Sequence, residues 1–311
     1  MTLKKISYLL AAAPLLVAMA MFLSSPVRYA NCVRDGISLW AVSVLPVTFP
    51  FLLLTALFSR TRLYNACSRA VAPYANAVFR VSGAGGCAAL LSLLSGYPVG
   101  AKCVAELYKQ GAIRQDEVFR LSCLCSTSGP MFLVGTVGAV MFRSPVCGWI
   151  LMLSHLLGVH LVCILLRVGK PPLPRTAPLP LYGDKGNALF DGLYSSVISI
   201  LCAGGAIAVF FAFGQMLGDL LVFLPLEKTG LGVMRGLLEM TAGCSFLAES
   251  PSPFSLGLCA FLVTFGGACV LVQQLAFLSD TGVRALPFLL VKLAQGALSA
   301  VLCFGLSQLV F

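Results

Sequence analysis

The hydrophobic positions of this chain fall in long runs, not at the period of a strand or on one face of a surface helix. A helix that crosses the hydrocarbon core of a bilayer needs roughly 20 apolar residues. Runs near that length occupy residues 6–23, 37–58, 121–142, 147–166, 193–224, 254–276 and 286–310. Each predicts a membrane span, about seven in all. Two other runs are too short or too broken to span. Residues 83–95 end in Ser95-Gly96-Tyr97-Pro98-Val99-Gly100, and residues 231–247 are interrupted at Glu239-Met240-Thr241-Ala242-Gly243. Short apolar segments that stop at Gly, Pro and polar residues predict re-entrant hairpins, near 83–98 and 231–247. The first run has a rival reading, because Ala18-Met19-Ala20 resembles a signal-peptide cleavage site. Its apolar stretch is longer than a usual signal core and favours a retained anchor.

Composition narrows the class. The chain has 311 residues, 59% hydrophobic and 10% charged, with a mean hydropathy of +0.96. Ordinary soluble domains carry about 25% charged residues. So few charges cannot cover a water-facing surface, which excludes a soluble enzyme, a nucleic-acid binder and a disordered tail carrier. The formal charge of +10 would point to nucleic acid in a soluble domain, but here the basic residues sit between apolar runs and act as topology signals. With the N-terminus in the cytoplasm, the inner side receives fifteen: Lys4, Lys5, Arg60, Arg62, Arg69, Arg80, Lys102, Lys109, Arg114, Arg120, Arg167, Lys170, Arg175, Lys185 and Arg284. The outer side receives five: Arg28, Arg34, Arg143, Lys228 and Arg235. That bias requires both short segments to return to their side of entry. Thirteen cysteines with no CxxC pair, mostly inside apolar runs, read as small buried hydrophobes and not as a disulfide or zinc framework.

The expected fold is an all-α polytopic membrane protein of two inverted halves. Residues 1–34 form an N-terminal anchor helix and outer loop, and residues 35–168 the first membrane half. Residues 169–190 form a stiff cytoplasmic linker with Pro171, Pro172, Pro174, Pro178 and Pro180, and residues 191–311 the second half. Each half opens on an Asp-Gly pair, Asp35-Gly36 and Asp191-Gly192. Each then has a short broken segment and a longer one with a break, Ser126-Thr127-Ser128-Gly129-Pro130 in the first half and Gly266-Gly267 in the second. Interrupted segments at matching places in opposed halves point to the binding site of a secondary transporter.

Candidate chemistry follows from those breaks. A break leaves backbone groups unpaired in a low-dielectric region, and the N-terminus of a half-helix offers positive partial charge to a carboxylate or phosphate. Glu239 has no neighbouring base, and an ionisable group at membrane depth marks a functional site by default. It can accept a hydrogen bond from solute, bind a coupling cation or take up a proton. Gln273 and Gln274 are expected to face the protein interior, at least one of them in helix packing. Lys102 and Lys292 are each open between countering an anionic solute and marking or snorkelling to the inner surface. His155 and His160, five apart, do not share a helix face, and no metal site is expected. There is no P-loop, no His/Glu zinc motif and no Gly-x-Ser-x-Gly elbow, so the chain is not expected to be an enzyme.

Several of these stretches also resemble a known family. They are Leu94 to Lys102 followed by Leu107-Tyr108-Lys109-Gln110-Gly111, then Cys125 to Phe142 with Ser128-Gly129-Pro130-Met131-Phe132 and Gly135-Thr136-Val137-Gly138. In the second half they are Gly236-Leu237-Leu238-Glu239-Met240-Thr241-Ala242-Gly243 and Phe265-Gly266-Gly267. Together they resemble the sporulation integral membrane proteins of the YlbJ type, placed with the nucleoside-recognition (Gate) domain proteins, from about Asp35 onward. The resemblance implies an endospore-forming bacterium, the cell membrane or outer forespore membrane, and kinship with concentrative nucleoside transporters. It also implies transport of dipicolinic acid from mother cell toward forespore. Carried onto this chain, the candidate solute-binding residues are Ser95, Gly96, Tyr97, Pro98, Lys102, Ser126, Thr127, Ser128, Gly129, Glu239, Thr241, Gly266, Gly267 and Gln273. The expected partners are a small anion and the lipid bilayer, with no nucleic acid and with a homo-oligomer left open. No cofactor is expected, and the coupling ion, H+ or Na+, stays open. The runner-up readings are a nucleoside or heterocycle transporter and a non-transporting scaffold for spore-envelope assembly.

Overall fold

A computed structural model describes residues 3–171, 187–222 and 227–311. Most of the expected Pro-rich linker, residues 172–186, lies outside the described residues. The described chain is helical throughout, with no strand. Four helices are long and apolar enough to cross a membrane: Pro145–Leu165, Leu189–Leu220, Pro253–Thr281 and Ala285–Ser307. The number rises to six if two bent pairs each count as one span, against about seven expected from run length. The difference arises because an apolar run records residues without recording where the helix through them turns.

In chain order the helices are α1 (Leu3–Ser24), α2 (Pro26–Leu39), α3 (Leu45–Phe58), α4 (Arg62–Phe79), α5 (Gly83–Ser95), α6 (Val99–Lys109) and α7 (Gln115–Leu124). They continue with α8 (Pro145–Leu165), α9 (Ala188–Leu220), α10 (Lys228–Leu238), α11 (Met240–Leu247), α12 (Pro253–Phe265), α13 (Gly267–Leu278) and α14 (Ala285–Ser307). Two π-helical segments, Trp40–Val44 and Met131–Met141, and a short 3-10 helix, Ser279–Thr281, complete the set among the described residues. The run at 121–142 is thus not one span but the end of α7, an unwound stretch and a π-helical segment. Where an outer loop was expected between residues 24 and 36, the chain turns by 109° and continues as α2. Pro26 at the first helical turn suits that restart, since its missing N–H would have had no partner there.

At both places where a hairpin is expected the chain breaks between two helices that pack on each other. In the first, α5 ends at Gly96-Tyr97-Pro98 and α6 follows, so the packed pair occupies residues 83–109, beyond the expected 83–98. The second helix of this pair was hidden because Lys102, Glu106 and Lys109 make it read as a surface helix. The second hairpin turns at Glu239, where α10 gives way to α11. Its legs meet through glycine: a Cβ on Gly243 would strike the Gly236 backbone, and one on Gly232 would lie 3.1 Å from Leu247 and Phe246 carbons. Close approach through small residues is the usual way helices associate in lipid, where there is no hydrophobic drive between them. The same device joins Gly138 to Gly148, and Gly158 of α8 to Ser299 of α14. Nine of the thirteen unpaired thiols are buried, filling the same kind of tight contact.

The two halves interleave. α9 opens the second half yet packs on α2 and α3 of the first, while α8 packs on α14. Both Asp-Gly pairs lie on such contacts: a Cβ on Gly36 would sit 2.9 Å from Ala208 Cα of α9, and one on Gly192 3.0 Å from Leu57 of α3. At one end of α9, Asp219 gathers Arg28, Tyr29 (2.9 Å) and Gln215 (2.9 Å), and Arg235 of α10 donates to Gln215 (3.2 Å). This half-exposed cluster ties α2 and the second hairpin to one helix. Asp219→Ala leaves the Tyr29 hydroxyl unpaired beside α9, a loss of about 1–3 kcal/mol. Thermal unfolding in detergent is expected to show a lower midpoint, whereas an unchanged midpoint would mean that the cluster holds nothing.

Candidate functional site

Four interruptions of the helices meet near the centre of the described residues, two from each half. In the first half the hairpin turn touches the unwound stretch: a Cβ on Gly96 would lie 2.7 Å from Gly129 N. In the second half the arrangement repeats, with a Cβ on Gly267 2.8 Å from Gly236 O and 3.3 Å from Leu238 O and Met240 N. Gly96, Gly266 and Gly267 have φ of +76°, +95° and +68°, which only glycine adopts without strain. Glycine is therefore required there by backbone shape as well as by space.

Between the breaks lies a cavity with about 60 Å³ open to the centres of water-sized molecules. Roughly 10–15 Å³ on that measure admits one water, so it holds a handful. Its polar lining comes from Thr48, Ser95, Gly96, Tyr97, Ser128, Gly129, Glu239, Thr241 and Gln273, and its apolar wall includes Phe51, Phe132, Ile207 and Val270. Eight of the fourteen residues singled out from the sequence thus line one space.

Glu239 is 2% exposed and forms the N-cap of α11. Its carboxylate oxygens accept from Thr241 N (3.0 Å) and Ala242 N (2.7 Å). That pairing explains how an acidic group is tolerated here: it satisfies orphan N–H groups of a half-helix, whose dipole favours negative charge. An ionised carboxylate offers about four lone-pair positions, so roughly two remain for solute or a cation.

The other six residues take different places. Ser126, Thr127, Pro98, Gly266 and Gly267 lie behind the lining, in the packing that shapes the breaks. Thr127 Oγ1 pairs with Ser92 Oγ (3.1 Å), and Ser92 also donates to Cys125 O. Lys102 faces a second, smaller cavity with Arg60, Glu106 and Ser196, where it donates to Ser195 and Ser199 (3.0 Å). A buried Thr55–Ser95 hydroxyl pair, 2.5 Å apart, joins a residue of each cavity. Gln273 reaches the central lining, while Gln274 is buried in helix packing.

Behind the cavity lies a polar network that the sequence reading left unassembled. Tyr97 Oη donates to the carbonyls of Val263 (3.1 Å) and Thr264 (3.0 Å), joining the first hairpin turn to the end of α12. Ser128 N donates to His155 Nε2 (3.1 Å), and His155 Nδ1 meets Thr264 Oγ1 (2.9 Å). A backbone N–H only donates, so Nε2 is unprotonated and the proton of this ring sits on Nδ1. Lys292, fully buried, donates to Ser126 O (2.8 Å) and Tyr97 Oη (3.3 Å). A signal for this network exists in the sequence: Lys292, Gln295 and Ser299 at i, i+3 and i+7 form a polar stripe on an apolar helix.

Away from the cavity, Glu117 is also buried, and its carboxylate accepts from Ser82 N (2.5 Å) and Arg114 N (2.9 Å). Burial pushes this carboxyl above its ordinary range, and the two N–H groups oppose that rise. It ties the starts of α5 and α7, and so holds the first hairpin against the helix that unwinds beside it.

Architecture and composition define an all-helical, multi-pass integral membrane protein with a small cavity of mixed polar and apolar lining at its helix breaks. The chain is similar to the sporulation integral membrane protein YlbJ of Bacillus subtilis (strain 168), at 28% identity over 338 aligned residues, 97% of this chain and 83% of that protein. The resemblance to the YlbJ type read from the sequence motifs is therefore shown along nearly the whole chain. No family model and no solved structure matches it.

Proposed function

We propose that the chain is a secondary membrane carrier or facilitator for a small polar anion, working by alternating access and without enzymatic activity. The observation that carries the reading is that three backbone breaks, two from the first half and one from the second, bring polar groups into one cavity among apolar helices, with the fourth break, Gly266-Gly267, packed directly behind. Unwound backbone and a carboxylate at membrane depth are costly, and a scaffold gains nothing from collecting them in one space. The cavity is far smaller than the roughly 300–1,000 Å³ of an open ligand site, which fits a narrow form that widens when the paired helices at the breaks part from α3 and α9.

Dipicolinate is the substrate we assign within that class, moved from mother cell toward forespore across the cell membrane or outer forespore membrane. The resemblance to a sporulation membrane protein supports it, as does the chemistry of the lining. Phe51, Phe132 and Tyr97 present rings to a flat heterocycle, and the helical segment that starts at Met131, in the same lining, offers its N-terminal end to a carboxylate. Glu239 suits a dianion when it is protonated or holds a cation. The same rings suit a nucleoside, which is the alternative reading.

Uptake of labelled dipicolinate into proteoliposomes holding the purified chain, with a labelled nucleoside in parallel, tests the proposal. Saturable dipicolinate flux is the expected result. Nucleoside flux alone would retain the carrier and replace the substrate, and a folded chain that moves neither would favour the scaffold.

A further inference from the structure

The Lys292 ammonium raises a question that the cavity does not answer. It is fully buried, and among the described residues no carboxylate lies within ion-pair distance of it. An unpaired charge inside a membrane protein requires some other source of negative potential. Its partners supply one. Ser126 O, which accepts from it, lies in the unwound stretch that follows α7. One helical turn further along α14, Gln295 Nε2 donates to Cys123 O (3.2 Å) of the same helix end. The last carbonyls of a helix carry partial negative charge and favour a cation. Lys292 also donates to Tyr97 Oη, whose own proton goes to Val263 O and Thr264 O at the end of α12. One ammonium thus serves both broken helices, directly at α7 and through a tyrosine hydroxyl at α12. His155, on the neighbouring α8, turns Nε2 to Ser128 N and brings no carboxylate to the ammonium.

Unwound backbone and half-helix C-terminal ends are where secondary carriers coordinate a monovalent coupling cation. We infer that the Lys292 ammonium is a tethered cation occupying that position, so that the chain assembles its closed cavity without sodium. Lys292 does not line the cavity and acts through the breaks it holds, as a positioning residue. The inference rests on the carrier reading for its consequence in transport, but its physical content stands without it.

The test compares thermal unfolding of the full chain in nanodiscs in sodium, potassium, lithium or choline chloride. The wild-type midpoint is expected to be the same in all four. Lys292→Ala removes the donor to two helix ends, and its midpoint in choline is expected to fall by roughly 5 °C or more. Sodium or methylammonium chloride should restore part of that loss by entering the vacated space, while adding either to wild type should change nothing. Lys292→Met, which fills the space without charge, should be destabilised and insensitive to every cation. A sodium-specific rise in the wild-type midpoint, a Lys292→Ala midpoint equal to wild type, or a loss that no cation reduces would each overturn the inference. If neither variant folds, a sodium-specific rise in the wild-type midpoint would still overturn the inference. A chain with these midpoints but no flux would refute the carrier reading and leave the tethered cation intact. Flux that requires sodium would do the reverse.

Discussion

Replacing Glu239 by glutamine is expected to leave the chain inserted and helical while cutting dipicolinate flux at least about tenfold. The reasoning starts from the two backbone donors that the carboxylate satisfies, Thr241 N and Ala242 N. A glutamine offers one carbonyl oxygen where the carboxylate offered two, so one buried N–H at the start of α11 is left facing an NH2 group. An orphaned buried donor costs about 1–3 kcal/mol, and the lost attraction between the charge and the half-helix dipole adds a few tenths to about 1 kcal/mol. The turn that places Glu239 in the cavity is otherwise held by glycine contacts that the substitution does not touch. A loss near 1.4 kcal/mol is a factor of ten in rate or affinity. The measurement is initial uptake in proteoliposomes across a pH series, with the unfolding midpoint recorded on the same sample. Flux equal to wild type at every pH would remove Glu239 from any role in transport.

Gly96→Ala is expected to do more damage, and to do it through the fold. Gly96 has φ +76° and ψ −168°, a region that residues with a Cβ occupy only under about 1–3 kcal/mol of strain. The added methyl would also lie 2.7 Å from Gly129 N, against backbone that has no rotamer by which to yield. The hairpin turn and the unwound stretch must then separate, which pulls Tyr97 away from α12 and opens the space behind the cavity. The matched control is Gly135→Ala in the π-helical segment, where a Cβ meets nothing within 4 Å. Circular dichroism melts and uptake on both variants decide the matter. Gly96→Ala should lose several degrees and nearly all flux, and Gly135→Ala should keep both. Equal behaviour of the two would mean that the Gly96–Gly129 approach is incidental.

Much of the site was legible as a set of breaks. Gly and Pro clusters inside apolar runs are visible in one dimension because each violates the requirement that lipid-embedded backbone pair within its own helix. Glu239 announced itself in the same way, as a charge where charge is expensive. What could not be read was the partner of each group. Lys102 and Lys292 look alike in sequence, each a lone base beside apolar residues. One faces a half-buried cavity with Ser195 and Ser199, and the other lies fully buried among the ends of two broken helices. His155 was set aside for lack of a metal partner, yet it accepts the Ser128 N–H from 27 residues away. The helix that follows the first break, α6, could not be placed because it is charged, and charge on a helix does not tell whether solvent or a neighbouring serine receives it.

The sequence by itself determined the class: a mostly apolar chain with 10% charge has only a membrane in which to fold, and its glycines, its prolines and Glu239 locate the places where helices stop. Those properties are local, set by the transfer cost of each residue and the backbone angles it allows. Only the tertiary structure decided that the four stops meet. It also decided that α9 crosses into the other half, and that a single ammonium and a tyrosine hydroxyl serve both broken helices. Those outcomes depend on contacts between residues up to 195 positions apart, as between Tyr97 and Lys292. Such contacts arise from the packing of whole helices through small residues, and no short stretch of sequence contains them.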